Sequence, residues 1–178
     1  MASLSGISLL GGLDQPEMER LEQACSWRTF RRDETVVERD TEHRDVFFLA
    51  SGSVRIMNFS LSGRPVVYAT LSSDEYFGEM SAIDNAPRSA TVVADEKCEV
   101  ASLSQARFTE LMERHPQIAV AVMSRLASIV RSCDERIMDL ATLGAMQRVI
   151  LDLYRMAKPD TITANSWLVY PCPAQREI

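Results

Sequence analysis

A glycine, a carboxylate and a guanidinium lie close together in the middle of the chain. Gly78 is followed directly by Glu79, and Arg88 comes ten residues after the glycine. Glycine lets the backbone approach a ligand closely, and the planar guanidinium of arginine can form paired hydrogen bonds with a phosphate. A carboxylate would repel that phosphate, so Glu79 needs another role, such as accepting hydrogen bonds from sugar hydroxyls. These residue types therefore indicate a site for a sugar that carries a phosphate.

The residues between Glu79 and Arg88 predict a short helix and a tight turn. One helical turn is expected over residues 80–83, and the free amides at its start favour negative charge. Residues 84–87 read Asp-Asn-Ala-Pro, which is typical of a turn. The loop then closes before an apolar, strand-like run over residues 91–94.

This loop resembles the phosphate-binding cassette of cyclic nucleotide-binding domains. The matching residues are Phe77-Gly78-Glu79-Met80-Ser81 and Asn85-Ala86-Pro87-Arg88-Ser89-Ala90. The resemblance implies that Glu79 takes the ribose 2′-hydroxyl and that Arg88 takes the cyclic phosphate. The other implied nucleotide-binding residues are Gly78, Met80, Ser81, Ser89 and Ala90. The alternative is a surface loop with a solvated Glu79 and Arg88, and the match of the whole cassette argues against it.

The composition restricts the class of protein. The 178 residues are 46% hydrophobic and 25% charged, which is ordinary for a globular protein. The formal net charge is −6, whereas a free-standing nucleic-acid-binding domain is usually basic. The charge therefore gives no argument for DNA contact by these residues.

The cysteines and the hydropathy predict a cytoplasmic protein. The four cysteines are scattered without a CxxC pair and there are two histidines, so neither a disulfide scaffold nor a metal site is expected. Idle thiols fit a reducing compartment. The sequence also has no 18-residue apolar run and no basic-then-apolar leader, so no membrane partner is expected.

Short runs rich in Val, Phe and Tyr predict a β-sandwich or barrel in the first part of the chain. A helix is predicted before them at Pro16–Cys25, with Asp14 as its N-cap, and another after them at Gln105–Arg114. The predicted strands are Trp27–Phe30, Thr35–Glu38, Val46–Ala50, Ser53–Phe59, Pro65–Leu71, Ala90–Ala94 and Cys98–Leu103. The resemblance implies an α+β fold whose centre is an antiparallel, jelly-roll-like β-roll with flanking helices.

Two turns depart from the family pattern. The family often has glycines near Asp33–Glu34 and Arg39–Asp40, where this chain has charged residues. Aspartate tolerates left-handed backbone, so we expect altered turns and a retained fold.

A long helix is predicted at Gln117–Leu143, and it carries two apolar lines. One line has the 4-3 spacing of a heptad repeat, which is typical of a coiled coil. The other line, Ile118, Val122 and Ile129, could lie on the β-roll. A helix with two apolar faces needs two partners, so we expect a homodimer; a single wide core face inside a monomer is the alternative. The expected dimer seam comprises Met123, Leu126, Val130, Cys133, Ile137 and Leu140, with Ala119 preceding them.

The remaining residues resemble the start of a second domain. A helix is predicted at Ala145–Lys158, then strands at Thr161–Ala164 and Trp167–Tyr170, then a first helical turn at 173–178. From about Leu9 onward the chain resembles bacterial regulators of the CRP–FNR (catabolite activator) family. The resemblance implies a cyclic-nucleotide-binding β-roll with dimerisation helix at 1–143 and an incomplete winged helix-turn-helix domain at 144–178. DNA would then be bound only through a missing C-terminal part.

Base recognition is expected to involve the long helix. In cyclic-AMP-responsive members of the family, polar residues midway along this helix reach the adenine, one from each subunit. A gapless alignment places Cys133 and Asp134 there, and a one-turn slip would substitute Ser132 or Arg131. Ionised Asp134 could accept the adenine amino hydrogens, or it could be a solvated helix residue. Ile56 and Leu71 are further candidate base contacts.

The resemblance implies an allosteric module that binds a cyclic nucleotide and no other cofactor. Cyclic AMP is the expected effector, with cyclic GMP as the alternative. The output could be DNA binding or control of a partner protein. An enzyme acting on a nucleotide is disfavoured, because the sequence shows no metal-ligand cluster and no nucleophile with a recognisable base. A module that responds to a different signal is disfavoured by the retention of Glu79 and Arg88.

Overall fold

A computed structural model of the chain describes residues 3–159 and 166–169. These residues fall into two compact units, of which one ends at Met123 and the other begins at Ser124. The helices are α1 (Gln15–Ala24), α2 (Glu79–Asp84), α3 (Gln105–Arg114), α4 (Pro116–Thr142) and α5 (Ala145–Met156). The strands are β1 (Ser26–Phe30), β2 (Thr35–Val37), β3 (Val46–Ser51), β4 (Ser53–Phe59), β5 (Pro65–Ser72), β6 (Tyr76–Phe77), β7 (Thr91–Ala94), β8 (Cys98–Leu103), β9 (Lys158–Pro159) and β10 (Trp167–Leu168).

The first unit contains two antiparallel sheets with a shared apolar core. Their strand orders are β1-β8-β3-β6 and β2-β7-β4-β5. Strand residues alternate between the two faces of a sheet, and the apolar members of both sheets meet in one cluster. The buried cluster residues are Phe30, Val37, Leu49, Val54, Leu71, Phe77, Val92, Ala94, Cys98 and Val100. The predicted α+β class with antiparallel sheets, flanking helices and a long helix is confirmed.

The pairing of β4 with β5 changes register near its middle. Val54 lies opposite Leu71 and Ile56 lies opposite Ala69, but Met57 lies opposite Val67. Tyr68 is therefore an extra residue in β5, as in a β-bulge. Since β4 itself has no extra residue, its alternation continues beyond Ile56 without interruption.

Aspartate occupies left-handed backbone at both turns where the family often has glycine. Asp33 has φ 63° and Asp40 has φ 62°. The carboxylate of Asp33 also accepts a hydrogen bond from Arg55 at 2.9 Å. The expected tolerance of aspartate for left-handed backbone is confirmed at both turns.

One short strand was not predicted from the sequence. Residues 76–77 form β6, which pairs with β3 through Phe47 opposite Phe77 and Phe48 opposite Tyr76. Two residues are too few for a period to be recognised. This strand leads directly into the cassette.

The second unit contains the rest of α4, then α5 and a small antiparallel pair, β9 with β10. The prediction that α5 extends to Lys158 is wrong, because Lys158 belongs to β9. The residue before a proline is disfavoured in helical backbone, and here that residue pairs with Leu168. The predicted strand at Thr161–Ala164, the end of the strand at Tyr170 and the helical turn at 173–178 lie outside the described residues.

Among the described residues no helix is long and apolar enough to cross a membrane.

Candidate functional site

Gly78 joins β6 to α2 in left-handed backbone, with φ 86°. A Cβ atom at this position would lie 2.7 Å from Nη1 of Arg88 and 3.0 Å from the carbonyl oxygen of Asp45. The first distance is shorter than real Cβ contacts and the second is tighter than most of them, and the positive φ strains any residue other than glycine. The turn into the cassette therefore requires a glycine.

The far end of α2 is held by α3. Asn85 follows α2 in left-handed backbone with φ 61°. Nε2 of Gln105 donates hydrogen bonds to the carbonyl oxygen of Ala82 at 2.9 Å and to Oδ1 of Asn85 at 2.7 Å. The backbone amide of Ala86 donates to Oδ1 of Asp84 at 2.9 Å, which closes the predicted turn.

Arg88 is buried, with 3% of its surface exposed. Its Nη1 donates to the carbonyl oxygen of Gly78 at 2.8 Å, and its Nη2 donates to that of Asp45 at 2.6 Å. The guanidinium carbon lies 5.3 Å from the ring centroid of Phe47, within cation–π range. Phe47 in turn stacks on Phe77 with centroids 5.1 Å apart. The fold thus fixes the guanidinium at the start of the cassette.

The backbone of Arg88 is also hydrogen-bonded to the turn at Asp40 and Thr41, which follows β2. Its amide donates to the carbonyl oxygen of Thr41 at 3.0 Å, and its carbonyl oxygen accepts from the amide of Asp40 at 2.9 Å. The turn with the left-handed aspartate therefore helps to position the cassette arginine.

The electrostatics favour an anion beside Arg88. Burial lowers the pKa of Arg88 from its usual value, and the negative charges of Asp45 and Glu79 act in the opposite direction. Nε of Arg88 is buried and has no acceptor among the described residues. A buried cation is costly unless it is paired, so an anionic oxygen at this guanidinium would be stabilised.

The other cassette residues differ in exposure. Glu79 is 6% exposed and begins α2, and Ser81 is buried with its Oγ 3.4 Å from the carbonyl oxygen of Pro87, to which it donates. Met80 and Ser89 are exposed, and Ala90 is half-buried. The short helix thus buries its two polar candidates, Glu79 and Ser81, and turns the Met80 side chain outward.

The candidate base contacts fall in both units. Leu71 is buried in the core of the first unit, and Ile56 is half-buried against the same cluster. Cys133 and Asp134 are exposed on the part of α4 that belongs to the second unit. A role for these two in base recognition stays a prediction.

The predicted dimer seam is mostly exposed in the single chain. Leu126 is half-buried, whereas Cys133 and the other seam residues are exposed. More than half of the surface of each of four seam residues is accessible: Met123, Val130, Ile137 and Leu140. Of the second apolar line, Ile118 and Val122 are buried but Ile129 is exposed.

A cavity of about 520 Å³ reaches the site from the edge strands β1 and β2. Its lining includes Arg88, Asp45 and Phe47 together with Arg28 and His43. Glu79, Ile56 and Leu71 do not line it. The described residues contain no group of three or more His, Cys, Asp or Glu side chains that could hold a metal ion.

Some residues at the site carried little or no sequence signal. Asp45 contributes a backbone carbonyl, which any residue would supply, and Phe47 is one apolar residue among several in β3. Asn58 did carry a signal, because it is a polar residue at an inward position of β4 after Val54 and Ile56. Its Nδ2 donates to the carbonyl oxygen of Ser89 at 3.0 Å.

The chain is similar in sequence to a known family of domains. The family model described as the cyclic nucleotide-binding domain matches residues 27–115, which is half of the chain. The cAMP-activated global transcriptional regulator Vfr of Pseudomonas aeruginosa is 31% identical over 153 residues, which cover 82% of this chain and 71% of Vfr.

Two solved structures are similar in fold and sequence. The catabolite activator protein of Thermus thermophilus has a TM-score of 0.67 and 28% identity, covering 75% of this chain and 62% of that protein. The regulatory domain of Toxoplasma gondii PKA with cAMP has a TM-score of 0.60 and 25% identity, covering 70% of this chain and 47% of that chain. The chain belongs to the cyclic nucleotide-binding domain family, on the branch of the CRP-type regulators.

Proposed function

We propose that this chain binds cyclic AMP and serves as the effector-sensing and dimerising part of a bacterial transcription regulator. The observation that carries the proposal is the buried guanidinium of Arg88, which is fixed beside the buried Glu79 at a glycine turn. An ion pair with a phosphate and a carboxylate–hydroxyl contact are the two interactions that a cyclic nucleotide needs at its phosphoribose end.

Each cassette residue has a role in this proposal. The guanidinium of Arg88 binds the cyclic phosphate, supported by Ser89 and Ala90. Glu79 accepts the hydrogen bond of the ribose 2′-hydroxyl, and backbone at Gly78, Met80 and Ser81 closes around the sugar. Ile56 and Leu71 supply apolar surface for the base.

Cyclic AMP is proposed as the effector because Vfr, which is similar over most of this chain, is described as cAMP-activated. Cyclic GMP is the alternative ligand. Asp134 would favour adenine, since an ionised carboxylate accepts hydrogen bonds from an amino group and repels a ring carbonyl.

The proposed output is allosteric control of DNA binding. The exposed apolar seam of α4 would pair with the same seam of a second copy, and binding of the effector would favour one arrangement of the dimer. Such coupling requires a different affinity of the ligand for the two states. The proposal places the effector and dimerisation domain at 1–143, residues of a DNA-binding domain at 144–178, and the protein in the cytoplasm.

A partner protein in place of DNA is the second candidate, and the similarity to the regulatory domain of Toxoplasma gondii PKA favours it. Sequence-selective DNA binding by the full-length gene product, measured by mobility shift with and without cyclic AMP, separates the two. Selective binding supports DNA as the target, and its absence supports a partner protein.

Titration calorimetry with cyclic AMP and its 2′-deoxy analogue tests the binding role. We expect Glu79→Ala to lose about 1.5–3 kcal/mol of cyclic AMP binding, the range for a hydrogen bond to a charged group. The 2′-deoxy analogue should be hardly affected, because its hydroxyl is already missing.

Arg88→Ala is the matched comparison in the same titrations. This substitution should weaken the binding of both nucleotides by about 2–5 kcal/mol, since both carry the cyclic phosphate. Equal losses for the two nucleotides in Glu79→Ala would refute the ribose role of Glu79. No binding of cyclic AMP or cyclic GMP to the unaltered chain at millimolar concentration would refute the proposed function.

A further inference from the structure

Asn58 is a buried polar residue on the inner face of the β-roll, beside the cassette. It follows Val54 and Ile56 at alternate positions of β4, and 6% of its surface is exposed. Because strand side chains alternate between faces, Asn58 faces the same side as Ile56, a candidate base contact.

The orientation of the Asn58 amide follows from its partners. Nδ2 donates to the carbonyl oxygen of Ser89 at 3.0 Å and to Oη of Tyr68 at 3.1 Å. A backbone carbonyl can only accept a hydrogen bond, so the nitrogen, and not the oxygen, must face Ser89. Both Nδ2 hydrogens are thereby used, and Oδ1 is directed elsewhere.

Oδ1 of Asn58 is buried and has no hydrogen-bond donor in the part of the chain that the structure describes. Folded proteins pair the large majority of their buried polar atoms, and an unpaired buried acceptor is costly. An unpaired acceptor at this place therefore indicates a ligand that brings a donor. The contact with Ser89 places Asn58 next to the cassette, and Ile56 lies two residues earlier on the same face of β4.

A cyclic nucleotide has few hydrogen-bond donors that could pair with Oδ1 of Asn58. Its phosphate is esterified to both the 3′ and the 5′ oxygens and only accepts hydrogen bonds. Its one free hydroxyl, at the 2′ position, is assigned to Glu79 in the proposed function. The donors that remain are on the base, and in adenine the donor is the exocyclic N6 amino group.

We propose that Oδ1 of Asn58 accepts a hydrogen bond from the exocyclic amino group of the bound adenine, so that Asn58 helps to determine base specificity. This inference rests on the proposed function. The carbonyl oxygen of Ser89 fixes the amide with its oxygen directed towards the base. The N6 amino group carries two hydrogens, so this contact leaves one of them for a second acceptor.

The test is a comparison of cyclic AMP with purine riboside 3′,5′-cyclic monophosphate, which has hydrogen in place of the amino group. Calorimetric titration of the unaltered chain should give about ten-fold tighter binding of cyclic AMP, the value of one hydrogen bond. Asn58→Leu, of similar volume without the acceptor, should abolish this preference while still binding the deaminated analogue. Asn58→Ala should do the same and serves if the leucine variant does not fold.

Tyr68→Phe is the matched control. It removes one acceptor of Nδ2 and leaves Oδ1 in place, so the preference for the amino group should persist. The inference is overturned if the unaltered chain binds both nucleotides equally, or if both Asn58 variants retain the ten-fold preference. Failure of both nucleotides to bind the unaltered chain would instead overturn the proposed function on which the inference rests.

Discussion

At the scale of single residues, the cassette depends on the missing side chain of Gly78. We expect Gly78→Ala to destabilise the fold and to weaken cyclic AMP binding, because the new methyl group would lie 3.0 Å from the Asp45 carbonyl and 2.7 Å from Nη1 of Arg88. The left-handed backbone alone costs about 1–2 kcal/mol for a residue with a Cβ, and the displaced guanidinium adds to this loss. Urea denaturation and calorimetric titration measure the two effects.

Gly63→Ala is the matched control for backbone strain. Gly63 also has left-handed backbone, with φ 76°, but a Cβ atom there would meet nothing within 4 Å. This variant should lose about 1–2 kcal/mol of stability and keep its affinity for cyclic AMP. Equal losses of stability and of affinity in the two variants would show that the close approach to Arg88 is unimportant.

At the scale of the elements, α1 and α3 both begin after a residue type that is favoured at the N-cap, but only the residue before α1 makes a capping hydrogen bond. Oδ1 of Asp14 accepts a hydrogen bond from the Glu17 amide at 2.9 Å, whereas Ser104 at the start of α3 makes no side-chain cap bond. Asp14→Ala should therefore cost about 1 kcal/mol of unfolding free energy, and Ser104→Ala should be nearly neutral. Chemical denaturation of both variants checks this, and a larger loss in Ser104→Ala would contradict it.

At the scale of the whole molecule, the exposed seam of α4 predicts association of two chains. Val130→Glu should convert the dimer to monomers, because a charge in a coiled-coil seam would lose its hydration. Ser128→Glu is the control, since two residues along a helix turn by about 200° and place Ser128 on the other side. Sedimentation of both variants gives the oligomeric state. The predicted dimer seam would be wrong if the unaltered chain is a monomer, or if both variants dissociate equally.

The local features of this protein could be predicted from its amino-acid sequence. Most strand and helix bounds agree with prediction to within one residue, because alternation, capping and turn residues act over a few positions. The cassette was recognisable for the same reason, since Gly78, Glu79 and Arg88 lie within one short segment. Left-handed backbone at Asp33 and Asp40 also followed from a local tolerance of aspartate.

The surroundings of those residues could not be predicted, because they depend on the three-dimensional fold. The guanidinium of Arg88 is held by the carbonyl oxygen of Asp45 and the ring of Phe47, which β3 brings from a distant part of the sequence. Asn58 meets Ser89 because β4 pairs with β7 across a long connection. Such contacts depend on strand pairing and register, which no local pattern specifies. The sequence thus determined the chemistry of the site, and the pairing of strands decided its geometry.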